Sequence, residues 1–171
     1  MPLRRIAPWL ALAVGVVLLD HLTKWLATAL LDYGRPVEIL PVFNLMLAHN
    51  TGAAFSFLSD AGGWQRWFFA LIAIAVSAGL LIWLLRAPRG EWLLSSSLAL
   101  VLGGAIGNLI DRVWQGYVVD FISLHYGGWY FPAFNVADMA ITVGAAMLFL
   151  DMFINPHNHG KRDDRNGKTT G

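Results

Sequence analysis

The sequence of 171 residues contains no cysteine and few charged residues. The missing cysteines exclude disulfides, thiolate zinc sites and thiol nucleophiles. Charged residues make up 13% and hydrophobic residues 57% of the chain, whereas average soluble domains have roughly 25% and 45–50%. This composition predicts an integral membrane protein of one domain. The net charge is +1 and the only basic cluster is in the C-terminal tail, so nucleic-acid binding is not expected.

Four long apolar stretches dominate the chain, at about 6–31, 67–85, 92–110 and 135–154. A helix of ~20 apolar residues crosses the ~30 Å bilayer core, so each stretch is long enough to span it. Between them, 32–66 and 111–133 are rich in helix-breaking glycine and proline. Segment 32–66 also alternates like short strands. We predict a mainly α fold: a single membrane domain (1–155) of four transmembrane helices with a small extramembrane β-sheet, then a polar tail (156–171).

Basic residues predict the orientation of these helices, because lysine and arginine accumulate in cytoplasmic flanks. They concentrate at Arg4 and Arg5, in the 86–91 loop, and in the tail, whereas Arg35, Arg66 and Arg112 are spread over the much longer segments on the other side. Both termini, the loop and the tail are therefore expected in the cytoplasm. Segments 32–66 and 111–133, and with them the sheet, are expected on the outer face.

This topology brings unusual polar residues together at the outer membrane boundary. A charge at the centre of a membrane helix costs roughly 2.5–3.5 kcal/mol, so such residues are rarely present without a role. The set comprises Asp20, Lys24, Asn50, Asn108, Asp111, Arg112, Asp120, Asn135 and Asp138. Because these residues come from separate segments, their convergence predicts a functional site.

Asp120 and Asp138 are the candidate catalytic groups. Two nearby carboxylates share one proton, because both cannot easily be ionised together. The ionised member can take a proton from water while the protonated member donates to a scissile carbonyl. The sequence has no His-Glu-x-x-His and no Gly-x-Ser-x-Gly motif. Peptide hydrolysis without a metal or any other cofactor is therefore the predicted chemistry.

Structural roles remain open for several neighbouring residues. Asp20 and Lys24 are four apart on one helix face and are expected to form a structural pair. Asp111 and Arg112 could form only an interfacial ion pair, and His21 is expected simply to face the interface. Gly103 and Gly107 form a Gly-x-x-x-Gly motif, which is usually a packing surface in membrane helices.

Five ordered motifs resemble lipoprotein signal peptidase, also called signal peptidase II, of the bacterial cytoplasmic membrane. They are Asp20-x-x-Thr-Lys24, Asn50-Thr-Gly-Ala-Ala-Phe55, Gly104-Ala-x-Gly-Asn-x-Ile-Asp-Arg112, Val119-Asp-Phe121 and Phe134-Asn-x-Ala-Asp138. The resemblance covers nearly the whole chain and has no departure at the motif positions.

The resemblance implies an aspartyl endopeptidase that cleaves prolipoprotein signal peptides just before a cysteine carrying diacylglycerol. We also expect a monomer that contacts membrane lipids, with its active site at the outer, periplasmic face of the inner membrane. Segment 32–66 would supply a β-cradle and a mobile flap. The implied catalytic residues are Asp120 and Asp138. Substrate-contact and support positions are Asn50, Gly52, Asn108, Arg112, Asn135 and Ala137, and structural positions are Asp20, Lys24 and Asp111.

Two other functions compete with the peptidase. A small transporter or channel could use the same acids to relay protons, although transporters usually place such sites near the midplane and often contain repeats. A non-enzymatic assembly factor could bind signal peptides without cleaving them. Cleavage of a lipidated substrate distinguishes all three.

Overall fold

The computed structural model describes residues 2–52 and 64–155, in which four helices and four strands follow one another. The helices are α1 (Pro2–Leu30), α2 (Trp64–Arg86), α3 (Trp92–Trp114) and α4 (Val136–Ile154); the strands are β1 (Val37–Leu40), β2 (Phe43–Asn50), β3 (Val118–Tyr126) and β4 (Trp129–Tyr130). Each helix is long and apolar enough to cross a membrane. The predicted fold class of four membrane helices with a small sheet is confirmed. The predicted tail and most of the predicted flap lie outside the described residues.

The helix bounds differ from the prediction by at most four residues, and the largest differences are at the start of α1 and the end of α3. The prediction ended this helix at residue 110, where the polar residues begin, but α3 continues to Trp114. Asp111 is buried and its carboxylate pairs with Lys24 of α1, so its charge does not require the helix to stop. Helix α4 begins at Val136 because Asn135 is its N-cap. The other predicted ends lie within about four residues of the observed ones, a usual uncertainty at helix ends.

Helix α3 is the centre of the bundle and packs against each of the other three helices. Glycines make these approaches possible. A Cβ on Gly103 would lie 2.7 Å from the Ala13 carbonyl oxygen of α1, and a Cβ on Gly144 of α4 would lie 2.8 Å from the Ser97 carbonyl oxygen. Small residues at membrane helix interfaces allow close backbone contact. The packing interpretation of the Gly-x-x-x-Gly motif therefore agrees with the surroundings of Gly103.

The four strands form one antiparallel sheet in the order β1-β2-β3-β4. Strand β3 follows α3 almost directly, through a turn in which Gly116 has a φ of 86°. A left-handed conformation of this kind suits glycine, which has no Cβ to clash. Phe134, just before α4, exchanges backbone hydrogen bonds with Ile122 of β3. The end of α3, the strand β3 and the start of α4 are thereby held together.

The opposite end of the bundle contains the start of α1 and the connection between α2 and α3. The Arg5 guanidinium donates a hydrogen bond to the Leu85 carbonyl oxygen at 3.0 Å. Ile6, Leu84 and Leu98 pack into a buried apolar cluster beneath it. The N-terminus and the 86–91 loop, both rich in arginine, therefore lie at the end away from the sheet.

Candidate active site

Asp120 and Asp138 are brought together by the contact between β3 and the start of α4. Asp120 is the third residue of β3, and its exposed fraction is 2%. Asp138 is the third residue of α4. Asn135 lies between them: its Nδ2 donates to Asp120 Oδ1 at 2.7 Å, and its Oδ1 accepts the Asp138 backbone N–H at 2.9 Å. The same asparagine therefore caps α4 and connects the two carboxylates.

Each oxygen of the two carboxylates accepts one hydrogen bond from an amide. Asp120 Oδ2 accepts Asn50 Nδ2 at 3.0 Å, in addition to the Asn135 contact at Oδ1. Asp138 Oδ1 accepts Asn108 Nδ2 at 2.7 Å, and its Oδ2 accepts the Asn135 backbone N–H at 3.3 Å. These neutral amide donors fix the orientation of both carboxylates without placing a positively charged side chain against either of them. Such a pair keeps its ability to exchange protons.

Burial raises the pKa of Asp120 to about 6 from an ordinary value of 3.8. The nearby negative charge of Asp138 raises it further, whereas the hydrogen bonds from Asn50 and Asn135 and the positive charge of Lys24 lower it. Desolvation is the largest cause, because an apolar environment favours the uncharged carboxylic acid. A carboxyl group with this pKa can hold or release a proton near neutral pH.

A buried charge cluster lies behind the two carboxylates. It consists of Asp20 and Lys24 from α1 and Asp111 from α3, none of which is more than 4% exposed. Lys24 Nζ lies 2.7 Å from Asp20 Oδ2 and 2.8 Å from Asp111 Oδ2, and it donates to Asn108 Oδ1 at 3.0 Å. The three protons of the ammonium thus have three oxygen partners.

The two acids of the charge cluster hold the backbone next to Asp120 and Asp138. Asp111 Oδ2 accepts the N–H of Val119, the residue before Asp120, at 3.2 Å. Asp20 Oδ1 accepts the N–H of Ala137, the residue before Asp138, at 2.9 Å. Ala137 is fully buried, and its Cβ lies 3.4 Å from the position that a Cβ on Gly107 would take. The cluster therefore fixes both carboxylate-bearing segments.

Arg112 lies in the last turn of α3 on the same side as the two carboxylates. Its Nη1 donates to the Asn108 carbonyl oxygen at 3.3 Å, and the guanidinium carbon is 5.8 Å from the centre of the Phe69 ring. Its Nε is buried and has no hydrogen-bond partner among the described residues. Asp111 pairs with Lys24, so the expected alternative of an Asp111–Arg112 ion pair is not what the structure contains. Within the described ranges 2–52 and 64–155, Arg112 therefore keeps donors for a further partner.

Gly52 is required by both backbone conformation and space. Its φ is 91°, and a Cβ placed on it would lie 2.5 Å from the Phe69 ring. Its N–H donates to Asn50 Oδ1 at 2.9 Å, which orients the amide that contacts Asp120. Any side chain at this position would displace Phe69 or strain the backbone.

A mainly apolar cleft of about 480 Å³ opens beside Asp138. It lies between the sheet and α4 and is lined by Leu124, Phe131, Pro132, Ala133, Phe134, Asp138, Met139, Thr142 and Val143. A cleft with apolar walls and one carboxyl group suits a ligand that is largely hydrophobic.

All the polar residues singled out from the sequence lie in this one region, but two of their neighbours were missed. His21, expected only to face the interface, lies against Asp20 and Asp111. The Phe69 ring lies against Gly52 and near the guanidinium of Arg112. In the sequence, Phe69 is one of many aromatic residues in an apolar stretch. The polarity of His21 within an apolar helix marked that residue, but neither contact follows from a local pattern, because both depend on how the helices pack.

The competing catalytic groups lie elsewhere. Ser96 and Ser97 are buried within α3, where their hydroxyls donate to the carbonyl oxygens of Leu93 and Leu94. In the described parts of the chain, no three histidines, aspartates or glutamates are grouped as metal ligands. The residues around Asp120 and Asp138 are thus the strongest candidate for an active site.

The family model and the sequence relatives agree on one family. The family model described as signal peptidase (SPase) II matches residues 12–154. A lipoprotein signal peptidase of Acinetobacter baumannii is 53% identical over 156 residues, which cover 91% of this chain and 89% of the relative. A lipoprotein signal peptidase of Pseudomonas aeruginosa is 58% identical over 148 residues, which cover 85% and 88%. A solved bacterial membrane enzyme, determined by the in meso method, is 31% identical with a TM-score of 0.77, covering 89% of this chain and 91% of that one.

Proposed function

The chain belongs to the signal peptidase II family of proteases, which act on lipoprotein signal peptides, and on this premise we propose that it is an aspartyl endopeptidase whose catalytic pair is Asp120 and Asp138. The observation that carries the proposal is the Asn135 bridge, which connects Asp120 to Asp138, the carboxyl group that lines the cleft. Burial and the raised pKa of Asp120 allow the pair to share a proton.

In the proposed reaction the ionised carboxylate takes a proton from a water molecule, whose oxygen attacks the scissile carbonyl carbon. The protonated carboxyl group gives its proton to the carbonyl oxygen, so a neutral tetrahedral diol forms. The first carboxyl group then protonates the amide nitrogen and the C–N bond breaks. A hydroxyl of the diol returns a proton to the second carboxyl group, which restores the starting protonation states of both acids. No covalent intermediate is needed, because the two acids exchange roles as base and acid.

We propose that Arg112, Asn50 and Asn108 orient the substrate and the pair. Arg112 interacts with the charges of Asp138 and Asp120, and its buried Nε has no partner among the described residues, so a small shift of the side chain would bring a donor to a substrate carbonyl. Asn50 and Asn108 each hold one carboxylate oxygen through Nδ2. Gly52, Asn135 and Ala137 support this arrangement through the contacts described above.

The substrate that fits best is a prolipoprotein whose cysteine already bears diacylglycerol, cleaved just before that cysteine. The apolar cleft beside Asp138 would accept acyl chains at the membrane boundary. The arginine-rich end would face the cytoplasm, which places the catalytic pair at the outer face of the inner membrane. We expect the chain to act as a monomer in contact with lipid, without a cofactor.

The test is cleavage by the purified protein in liposomes. A diacylglyceryl prolipoprotein and its unlipidated form are the matched substrates, and mass spectrometry of the products locates the cut. We expect cleavage of the lipidated substrate before the cysteine and little cleavage of the other. Equal cleavage of both would contradict the lipid requirement, and binding without cleavage would favour an assembly factor.

A further inference from the structure

His21 occupies a position that its sequence context does not predict. Its ring is 35% exposed, yet it contacts both acids of the charge cluster formed by Asp20, Lys24 and Asp111. Its Nε2 lies 3.7 Å from Asp111 Oδ1, and its Nδ1 lies 3.8 Å from Asp20 Oδ2. One part of the ring is thus open at the surface of the helix bundle, while the other part approaches the buried acids.

The hydrogen bonds of the ring determine which protonation state fits. Nδ1 lies 3.0 Å from the Val17 carbonyl oxygen, which can only accept, so Nδ1 must carry a proton. A neutral ring would then leave a bare lone pair on Nε2 facing the Asp111 carboxylate. Nε2 is buried and has no hydrogen-bond partner among the described residues. A second proton on Nε2 would turn this repulsive approach into an attractive one.

The charge balance of the cluster leads to the same protonation state. With both carboxylates ionised, the three cluster residues carry a formal charge of −1, and an imidazolium at His21 brings the total to zero. A buried net charge is unfavourable, whereas a neutral set of paired charges is tolerated. Without the imidazolium, Asp20 and Asp111 both depend on the single ammonium of Lys24.

This balance reaches the proposed catalytic pair through two backbone contacts. Asp111 holds the Val119 N–H and Asp20 holds the Ala137 N–H. On α3 the charged residue facing the ring is Asp111, with Arg112 next in the chain; on α1 it is Asp20, with Lys24 one turn away.

Charges on the other packed elements are reached indirectly. Asp138 on α4 is connected to Lys24 through the side chain of Asn108. The positive charge of Lys24 acts directly on Asp120 on β3, where it lowers the pKa of the carboxyl group. A change in charge at His21 can therefore alter the catalytic pair without touching the substrate.

We propose that His21 is a positioning residue whose imidazolium completes the Asp20–Lys24–Asp111 cluster and thereby holds Asp120 and Asp138 in their working arrangement. The inference rests on the proposed aspartyl peptidase function. Histidine is the side chain whose charge ordinarily changes near neutral pH, so kinetics at a low and a high pH test whether the charge on the ring matters or only its shape.

The test compares kcat of the wild type, His21→Asn and His21→Lys on a diacylglyceryl prolipoprotein at about pH 5.5 and about pH 8.5, on either side of the ordinary histidine range. Asparagine can still donate to the Val17 carbonyl but carries no charge, and lysine is charged at both values. All of these enzymes contain the same catalytic pair. Taking the ratio of two kcat values at one pH therefore removes the pH dependence that the enzymes have in common.

We expect the wild type to exceed His21→Asn by about fivefold at the lower pH, the upper range for a partly exposed ion pair. The ratio should approach one at the higher pH, with KM unchanged, because the ring does not line the cleft. His21→Lys should match the wild type at the lower pH and exceed it at the higher. The control is His125→Asn, the same change at a histidine on β3. The ratio of the wild-type kcat to the kcat of this variant should be one at both pH values.

Two results would overturn the proposal. One is a wild-type to His21→Asn ratio that does not change with pH, which would indicate a merely structural role or none. The other, decisive if His21→Asn fails to fold, is a His21→Lys enzyme that never exceeds the wild type at the higher pH. Absence of cleavage by the folded wild type at every pH would instead count against the proposed function.

Discussion

At the scale of single residues, asparagines rather than charged groups orient the two candidate catalytic acids. Asn50, Asn108 and Asn135 each donate an Nδ2 hydrogen bond to Asp120 or Asp138. An arginine or lysine in their place would hold the acids permanently ionised. Amides orient the carboxylates and leave burial to determine the proton affinity of Asp120.

The raised pKa of Asp120 predicts a loss of stability as the pH rises. Below its ordinary value of 3.8 the group is protonated in both the folded and unfolded chains. Between 3.8 and about 6 the folded chain retains the proton and the unfolded chain releases it, so the free energy of unfolding falls over this window. Asp120→Asn should flatten that fall. Apparent melting temperature in detergent against pH checks this, and an identical slope in both proteins would contradict it.

Arg112→Lys is expected to fold but to lose about tenfold or more in kcat/KM. Arginine presents a planar set of donors, and the buried Nε that remains without a partner among the described residues has no counterpart in lysine. Thermal unfolding and steady-state cleavage measure the two effects separately. Arg35→Lys is the matched control, because Arg35 is exposed and pairs only loosely with Asp32. Wild-type kinetics in Arg112→Lys would remove Arg112 from the site.

At the scale of secondary structure elements, the charge cluster joins α1 and α3 to β3 and the start of α4. Its acids accept the N–H groups of Val119 and Ala137, and its ammonium contacts Asn108. Apolar side chains gain little by leaving lipid for a helix interface, because lipid is equally apolar. Apolar packing alone would therefore not fix the positions of these segments relative to one another. Polar contacts between elements are therefore the main determinant of the site geometry.

Lys24→Met should destabilise the protein by about 3–5 kcal/mol, since it leaves two buried carboxylates without their shared partner. Arg35→Met removes an exposed partner of Asp32 and should have little effect. Chemical or thermal unfolding of both variants in the same detergent gives the comparison. Equal stability of Lys24→Met and the wild type would show that the cluster does not hold the bundle together.

The sequence predicts these elements unevenly. Uninterrupted apolar stretches are a strong signal, so all four helices could be found from them. The end of α3 was predicted too early, because a charged residue after an apolar stretch usually marks the end of a membrane helix. The sequence does not show that Lys24 lies against Asp111 and pairs with its charge. The contacts of His21 and Phe69 were missed for the same reason: pairings across helices follow from packing angles that no local pattern encodes. The polar motif residues were found because polar groups are unusual in apolar surroundings, whereas Gly52 and Ala137 were named only through the family resemblance.

At the scale of the whole molecule, the two ends of the bundle differ in charge and in structure. The end with Arg5 and the 86–91 loop is basic, and the opposite end contains the sheet and the candidate site. We predict that the basic end faces the cytoplasm. The absence of cysteine makes labelling simple, since a single introduced thiol is the only reactive one.

Tyr126→Cys and Arg89→Cys test this orientation, because both residues are exposed and lie at opposite ends of the chain's membrane helices. In right-side-out spheroplasts, a membrane-impermeant maleimide should label position 126 and should label position 89 only after lysis. The reverse pattern would place the candidate site in the cytoplasm and would contradict the proposed access to exported substrates.

The most direct test of the central claim is turnover by Asp120→Asn and Asp138→Asn. Asparagine has nearly the shape of aspartate but cannot take a proton from water, so each variant should fold, bind substrate and show no detectable cleavage. The double variant should be scarcely worse than either single one, because groups that act as one unit are not additive. Asp32→Asn, at an exposed position, is the control and should retain full activity. Cleavage of a diacylglyceryl prolipoprotein by a folded Asp120→Asn or Asp138→Asn enzyme at a rate near that of Asp32→Asn would contradict the aspartate pair.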